Sequence, residues 1–353
     1  MSSAHSFTTT SNLLHVLAYT GLGICAVLAT LELILRILPC STATYMGYYI
    51  DPVILTYRPA HEFISSFGWS MEHPQRNRAN NFGFLTARDF KRDPAAVALI
   101  GDSYVDESFM PEADRLATRL ETHLQGPAVF ALGSPGSNLL DYAERVRFAH
   151  EKFGLTHFVI VIQPSDVLES LCGSGNSQGP CVDSITRQVR IERIATRSSW
   201  ITDIARQSAL VQYLVTQIRL DPTQFLQRWK TGKSDTVSPA PSLESPGYAA
   251  TSGVVQSEFF ARLRRVPGAV FVLVFDYERT APGIGNALTD GDRAMLIAKA
   301  QEFGARVVDL EPIFRKHTSG SRLSLSVSPR DTHWNKLAIE LVADAVAQVL
   351  RNP

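Results

Sequence analysis

From Ala95 onward the sequence keeps returning to short, nearly uninterrupted apolar runs, at 97–101, 128–132, 157–163, 269–275 and 305–309. Such runs are too short for ordinary helices. Without polar alternation they read as strands buried on both faces, as in a parallel sheet. Between the first two runs Leu116, Leu120 and Leu124 are spaced by four. Between the next two, Leu140, Ala143, Val146 and Ala149 recur at helical intervals. Strand and helix alternating in this way require helices on both faces of a parallel sheet. The expected fold is α/β, in three α/β/α layers around a five-stranded parallel sheet.

The first run ends abruptly in Gly101-Asp102-Ser103-Tyr104. Ligands of open α/β sheets bind beyond the carboxyl ends of strands, so Ser103 falls where a nucleophile would be placed. A Gly-Asp-Ser tripeptide arises by chance in roughly one chain in ten of this size at average usage, so a partner is needed. It stands far along the chain, in Asp331-Thr332-His333-Trp334-Asn335, before a helix-like segment from Lys336 to about Leu350. A serine hydroxyl needs a base to take its proton, and the base works best when an acid fixes its tautomer. Ser103, His333 and Asp331 supply those three functions, and the rate should rise with pH as the imidazole loses its proton.

With these residues the chain resembles the SGNH/GDSL family of serine hydrolases and acyltransferases, whose first block is Gly-Asp-Ser and whose last is an Asp and a His before the final helix. The resemblance implies a flavodoxin-like SGNH fold, an acyl-enzyme on Ser103 and no cofactor. It also implies an oxyanion hole from the backbone N–H groups of Ser103 and Gly133, the glycine after the second strand. The third block, usually Gly-x-Asn-Asp, reads Gln163-Pro164-Ser165-Asp166 here. The missing amide donor leaves three alternatives: the Ser165 hydroxyl, Asn138, or the backbone alone. Losing one such donor costs roughly 10²- to 10³-fold in rate. The Asp-Thr-His-Trp wording is also similar to exopolysaccharide O-acetyltransferases related to alginate acetylation, although there the motif precedes the serine. Three readings follow: an esterase acting on acylated carbohydrate or another small ester, an O-acyltransferase modifying an exported or envelope polysaccharide, and a noncatalytic glycan-binding or assembly protein.

His317 is the rival base, and Asp276, at the end of the fourth strand, is a rival acid if Asp331 pairs with Arg330 instead. No His/Cys group has zinc-like spacing and no glycine-rich phosphate loop is present, which argues against a metal or nucleotide. Lys plus Arg and Asp plus Glu number 34 each, with the basic residues scattered, so nothing favours a nucleic-acid partner.

Residues 13–38 are almost wholly apolar. A helix of that length reaches roughly 39 Å, against about 30 Å of bilayer hydrocarbon. We read residues 1–40 as a transmembrane anchor, with Glu32 and Arg36 pairing four apart and snorkelling near the membrane surface. A cleaved signal peptide and a buried helix are the alternatives. The positive-inside rule leans weakly towards a cytoplasmic catalytic domain, whereas anchored relatives usually work in the periplasm. Cys172 and Cys181 bracket a Gly- and Ser-rich loop that a disulfide would staple in an oxidising compartment; two unpaired thiols are the other possibility. On this reading the catalytic domain is periplasmic.

Residues 41–93 form a polar approach containing the turn-like Asn80-Asn81-Phe82-Gly83-Phe84. The hydrolase-like domain spans 94–352, interrupted by an insertion at 171–247 that leaves the sheet near the proposed site and could shape a substrate groove. Within it, 191–229 reads as helical, packing beside the core, and 230–247 as a Ser/Pro/Thr-rich loop.

Overall fold

The computed structural model describes residues 6–42, 48–176, 179–193, 200–218, 220, 247–277, 287–328 and 331–352. Five of its strands form one sheet: β1 (Val97–Gly101), β2 (Val129–Gly133), β3 (His157–Ile162), β4 (Val270–Phe275) and β5 (Arg306–Asp309). All neighbours run parallel, in the order β5-β4-β3-β1-β2. Each of the five apolar runs is therefore a strand, displaced by at most one residue at either end.

The period of two along these strands sorts the core into two layers. Ala98, Ile100, Phe130, Leu132, Phe158, Ile160 and Leu273 face one way. They pack on Val146 of helix α2 (Leu139–Phe153), Phe259 of α3 (Tyr248–Leu263) and Ala300 of α4 (Ala287–Phe303). Val97, Leu99, Ala131, Val159, Val161 and Val272 face the other way. Against them lie Leu120 of α1 (Leu116–Leu124), Phe314 of α5 (Leu310–Gly320) and Val342 of α6 (Lys336–Arg351). The result is the expected three-layer sandwich.

The chain enters at β1, steps outward to β2, then crosses back to β3 on the other side of β1. Strand order reverses beside β1, and such a switch point opens a crevice at the carboxyl ends of the strands. Ser103 follows β1 directly.

Two glycines are fixed by close approach. A Cβ on Gly133 would lie 2.3 Å from the backbone nitrogen of Asp106, so β2 can touch the turn after Ser103 only without a side chain. Gly83, at φ 81°, would set a Cβ 2.1 Å from the Tyr57 carbonyl oxygen. The side-chain Oδ1 of Asn80 accepts from the backbone N–H groups of Phe82 (2.9 Å) and Phe84 (3.0 Å), closing the turn expected there.

The chain divides into two compact units. One gathers residues 44–62, 77–196 and 233–353 and contains the sheet; the other gathers 1–43, 63–76 and 197–232. Within the latter, one N-terminal helix (Ser6–Ile37) is long and apolar enough over His15–Ile37 to span a membrane, and most of its apolar side chains there are exposed, Leu35 being buried.

The insertion differs from its sequence reading. Val189–Ile191 is a strand paired with Pro180–Val182, and the helical structure beyond is broken into Trp200–Gln207, Ala209–Gln212 and a wider π turn at Tyr213–Gln217. This segment belongs to the unit of the N-terminal helix. The reason lies in Glu32. It pairs with Arg36 at 2.8 Å, as expected, but its carboxylate also accepts from Ser208 Oγ (2.8 Å) and from the amides of Ala209 (3.0 Å) and Leu210 (2.9 Å). It thereby caps the start of the 209–212 helix. The stretch read as a Ser/Pro/Thr-rich loop lies outside the described residues except for Gly247. Cys172 and Cys181 are bonded to each other.

Candidate active site

The site is built where β1 stops. Asp102 leaves the strand in a non-helical conformation, φ −93° and ψ −133°, and its Oδ1 accepts from the Tyr104 N–H at 2.9 Å. That cap starts the short helix Ser103–Asp106 and puts Ser103 at its first position, partly exposed at the sheet edge. The turn closes on Glu107, a non-glycine residue in the left-handed region at φ 48°.

His333 arrives on a short strand, Asp331–Trp334, paired antiparallel with Ser326–Ser328. Its Nε2 lies 2.7 Å from Ser103 Oγ, and its Nδ1 lies 2.6 Å from Asp331 Oδ1. An ionised carboxylate can only accept, so Nδ1 carries the proton and Nε2 is left to accept from the serine hydroxyl. Asp331 Oδ1 also accepts from the His333 backbone N–H at 3.0 Å, which fixes the carboxylate against the ring it orients. Residues 230 positions apart in sequence are thus in hydrogen-bond contact.

Asp276 does not take the acid's place. Its Oδ2 accepts from the indole Nε1–H of Trp334 at 2.9 Å, with Trp334 1% exposed. The end of β4 therefore holds the residue next to His333. On the far side Asn335 caps α6, accepting from the Leu337 (3.0 Å) and Ala338 (3.1 Å) amides, while its Nδ2 donates to the Ser324 carbonyl. His317 faces the Leu323 carbonyl at 3.3 Å instead of the serine.

The imidazole is also flanked by aromatic rings. Tyr104 stacks on it with centroids 4.6 Å apart, and Phe109 approaches to 5.0 Å. The Tyr104 hydroxyl donates to the Thr332 carbonyl at 3.2 Å, tying the turn after the serine to the strand that carries the base. Sequence reasoning missed Tyr104, Phe109 and the Asp276–Trp334 bond. The signals were adjacency to Ser103 and His333, and they gave no indication of which rings would meet.

Of the expected oxyanion donors, Gly133 ends β2 in register with Gly101, beneath the turn that carries Ser103. Asn138 is otherwise engaged: its Oδ1 caps α2 at Leu140 (3.1 Å) and Asp141 (3.4 Å), and its Nδ2 donates to the Glu169 carbonyl at 3.1 Å. Fully buried in that role, its amide is committed to the backbone of its neighbours. The Ser165 side chain hydrogen-bonds to the Glu169 carboxylate.

The floor beneath the serine is unusually acidic. Burial pushes the carboxyls of Asp102, Asp166 and Glu169 up; Asp102 and Glu169 raise Asp166 further, and Glu169 raises Asp102. Asp166 accepts from the Tyr142 hydroxyl (3.2 Å) and the Gln163 N–H (2.8 Å). Arg145, 1% exposed, offsets this charge and donates to the Gly101 carbonyl (2.8 Å) and Ser137 Oγ (2.9 Å), lacing the ends of β1 and β2 together.

No family model matches the chain, and no curated protein matches it. Among solved structures it is similar to a lipolytic protein of the G-D-S-L family from Veillonella parvula, at 10% identity and a TM-score of 0.40, over 73% of this chain and 99% of that one. It is also similar to a lipase/acylhydrolase from Enterococcus faecalis (11%, 0.39, 72% and 95%) and to an acetyl xylan esterase (10%, 0.39, 72% and 99%).

Proposed function

We propose that the chain is a serine esterase of SGNH type, acting on O-acyl groups of carbohydrate or a related small ester. The observation that carries this reading is the hydrogen-bonded series Ser103 Oγ, His333 Nε2, His333 Nδ1 and Asp331 Oδ1, with steps of 2.7 Å and 2.6 Å. In the proposed reaction Ser103 Oγ attacks the ester carbonyl as its proton passes to His333, and Asp331 steadies the imidazolium. The alkoxide of the tetrahedral adduct is held by the Ser103 and Gly133 N–H groups. His333 then returns the proton to the leaving alcohol, giving the acyl-enzyme, and activates water for its release.

A second reading, an O-acyltransferase in which a sugar hydroxyl replaces that water, is favoured by the uncovered apolar N-terminal helix and by the rings of Tyr104 and Phe109 beside the imidazole. A drier acceptor groove favours transfer over hydrolysis. On both readings the N-terminal helix anchors the protein in a membrane, with the catalytic domain on the periplasmic side.

Turnover of p-nitrophenyl acetate by the wild type but not by Ser103→Ala, together with a phosphonate adduct located on Ser103 by mass spectrometry, is the expected result. An active Ser103→Ala variant, or an adduct elsewhere, overturns the covalent mechanism. Inertness of the wild type towards every ester and phosphonate tested favours a noncatalytic glycan-binding protein. Product analysis with an acceptor sugar separates hydrolysis from transfer.

A further inference from the structure

We infer that residues 209–218 form a membrane-surface foot that lies in the headgroup layer of a lipid bilayer beside the N-terminal helix. The inference rests on that helix being a membrane anchor.

The argument begins with depth. The apolar span His15–Ile37 has 23 residues. At 1.5 Å per residue such a span is about 35 Å long, slightly more than the roughly 30 Å of hydrocarbon it would cross. Glu32 lies five residues before its end, near the boundary between hydrocarbon and headgroups. Ser208, Ala209 and Leu210 are hydrogen-bonded to this carboxylate, and the Arg36 guanidinium donates to the Gln207 carbonyl at 3.0 Å. The segment is therefore held at the level of residues 32–36. Ile37, 86% exposed, lies beyond that level, so the apolar surface of the helix continues past the point where the segment docks.

The segment is two-sided at the same level. Gln217 is buried, its amide donating to the Gly68 carbonyl (2.7 Å) and accepting from the Ser41 N–H (3.0 Å), and the Tyr213 hydroxyl donates to the Trp69 carbonyl at 2.9 Å. The Gln217 amide faces inward. Val211, Val215 and Ile218 stay 37%, 43% and 40% exposed. Exposed apolar side chains at the depth of a lipid boundary are what an interfacial segment buries in the headgroup and acyl border. The partners around Glu32 fit the same setting: a carboxylate near hydrocarbon is tolerated when hydrogen bonds and a cation satisfy it.

The test is depth-resolved quenching with the full chain in phosphatidylcholine/phosphatidylglycerol vesicles. Val215→Trp and, separately, Ile218→Trp each add an emitter, read as the difference from the wild type. Acyl chains brominated near the headgroup should remove most of the added emission, and chains brominated at their ends should remove less. Flotation of the same vesicles after alkaline carbonate reports the anchor independently. Chains that float while the added emission at both positions is unaffected by bromine overturn the foot and leave the anchor standing. Chains that wash off the vesicles overturn the anchor and the foot together.

Discussion

The chemistry at Ser103 turns on which nitrogen of His333 holds the proton, and Asp331 decides it. Asp331→Asn can present its amide N–H to Nδ1 and stabilise the wrong tautomer, so kcat should fall roughly 10³- to 10⁴-fold with little change in KM, as such substitutions do in serine triads. Steady-state kinetics on a p-nitrophenyl ester check this. The Trp334–Asp276 bond acts one step further out, by holding the backbone beside the base. Trp334→Phe removes the donor from a buried carboxylate oxygen and should cost about 1–3 kcal/mol of stability. It should also lower kcat more than it raises KM. Asp276→Asn keeps an oxygen acceptor for the indole and should retain most of the activity. Equal losses in the two variants would show that the indole bond is not what positions His333.

Elements meet here through contacts that leave no room for a side chain. Gly133→Ala would drive a methyl group into the Asp106 backbone, where nothing flexible can yield, so a lower thermal midpoint and reduced turnover should appear together. The five strands and their helices were legible because buried parallel strands are written as apolar runs, and the candidate set Ser103, His333 and Asp331 because chemistry restricts which residue types can carry such a role. Asn138 stays one of three alternatives at the level of sequence, because a buried Asn capping a helix and a catalytic Asn look alike until backbone partners are assigned. Within 191–229 the apolar spacing says that the stretch packs on something; the carboxylate that captures residues 208–210 lies far away in sequence, at Glu32.

Across the whole molecule the unusual feature is the number of buried acids in the unit that contains the sheet. Glu107 is 1% exposed, and its Oε2 accepts from the Leu116 N–H at 2.6 Å, capping α1. Burial pushes its carboxyl up to about 8, while Asp106, hydrogen-bonded to Tyr57 and held down in part by Arg115, is raised to about 6. An acid whose folded value is raised binds a proton in the native chain over a pH range where the unfolded chain has already lost it. Its contribution to stability is therefore present below the ordinary carboxylate range and is lost as pH rises through the folded value. The thermal midpoint should fall between about pH 5 and 8, and Glu107→Gln should flatten that slope. A midpoint that instead rises over this interval in the wild type would show that these acids are ionised in the native protein.

The separation of the nucleophile from its base by most of the length of the sheet unit also bears on how the protein comes into being. A nascent or proteolytically clipped chain that has Ser103 but not yet the strand bearing His333 holds an inert hydroxyl. On the proposed mechanism, competence arises only when the strand Asp331–Trp334 docks, so no half-made form of the chain is active.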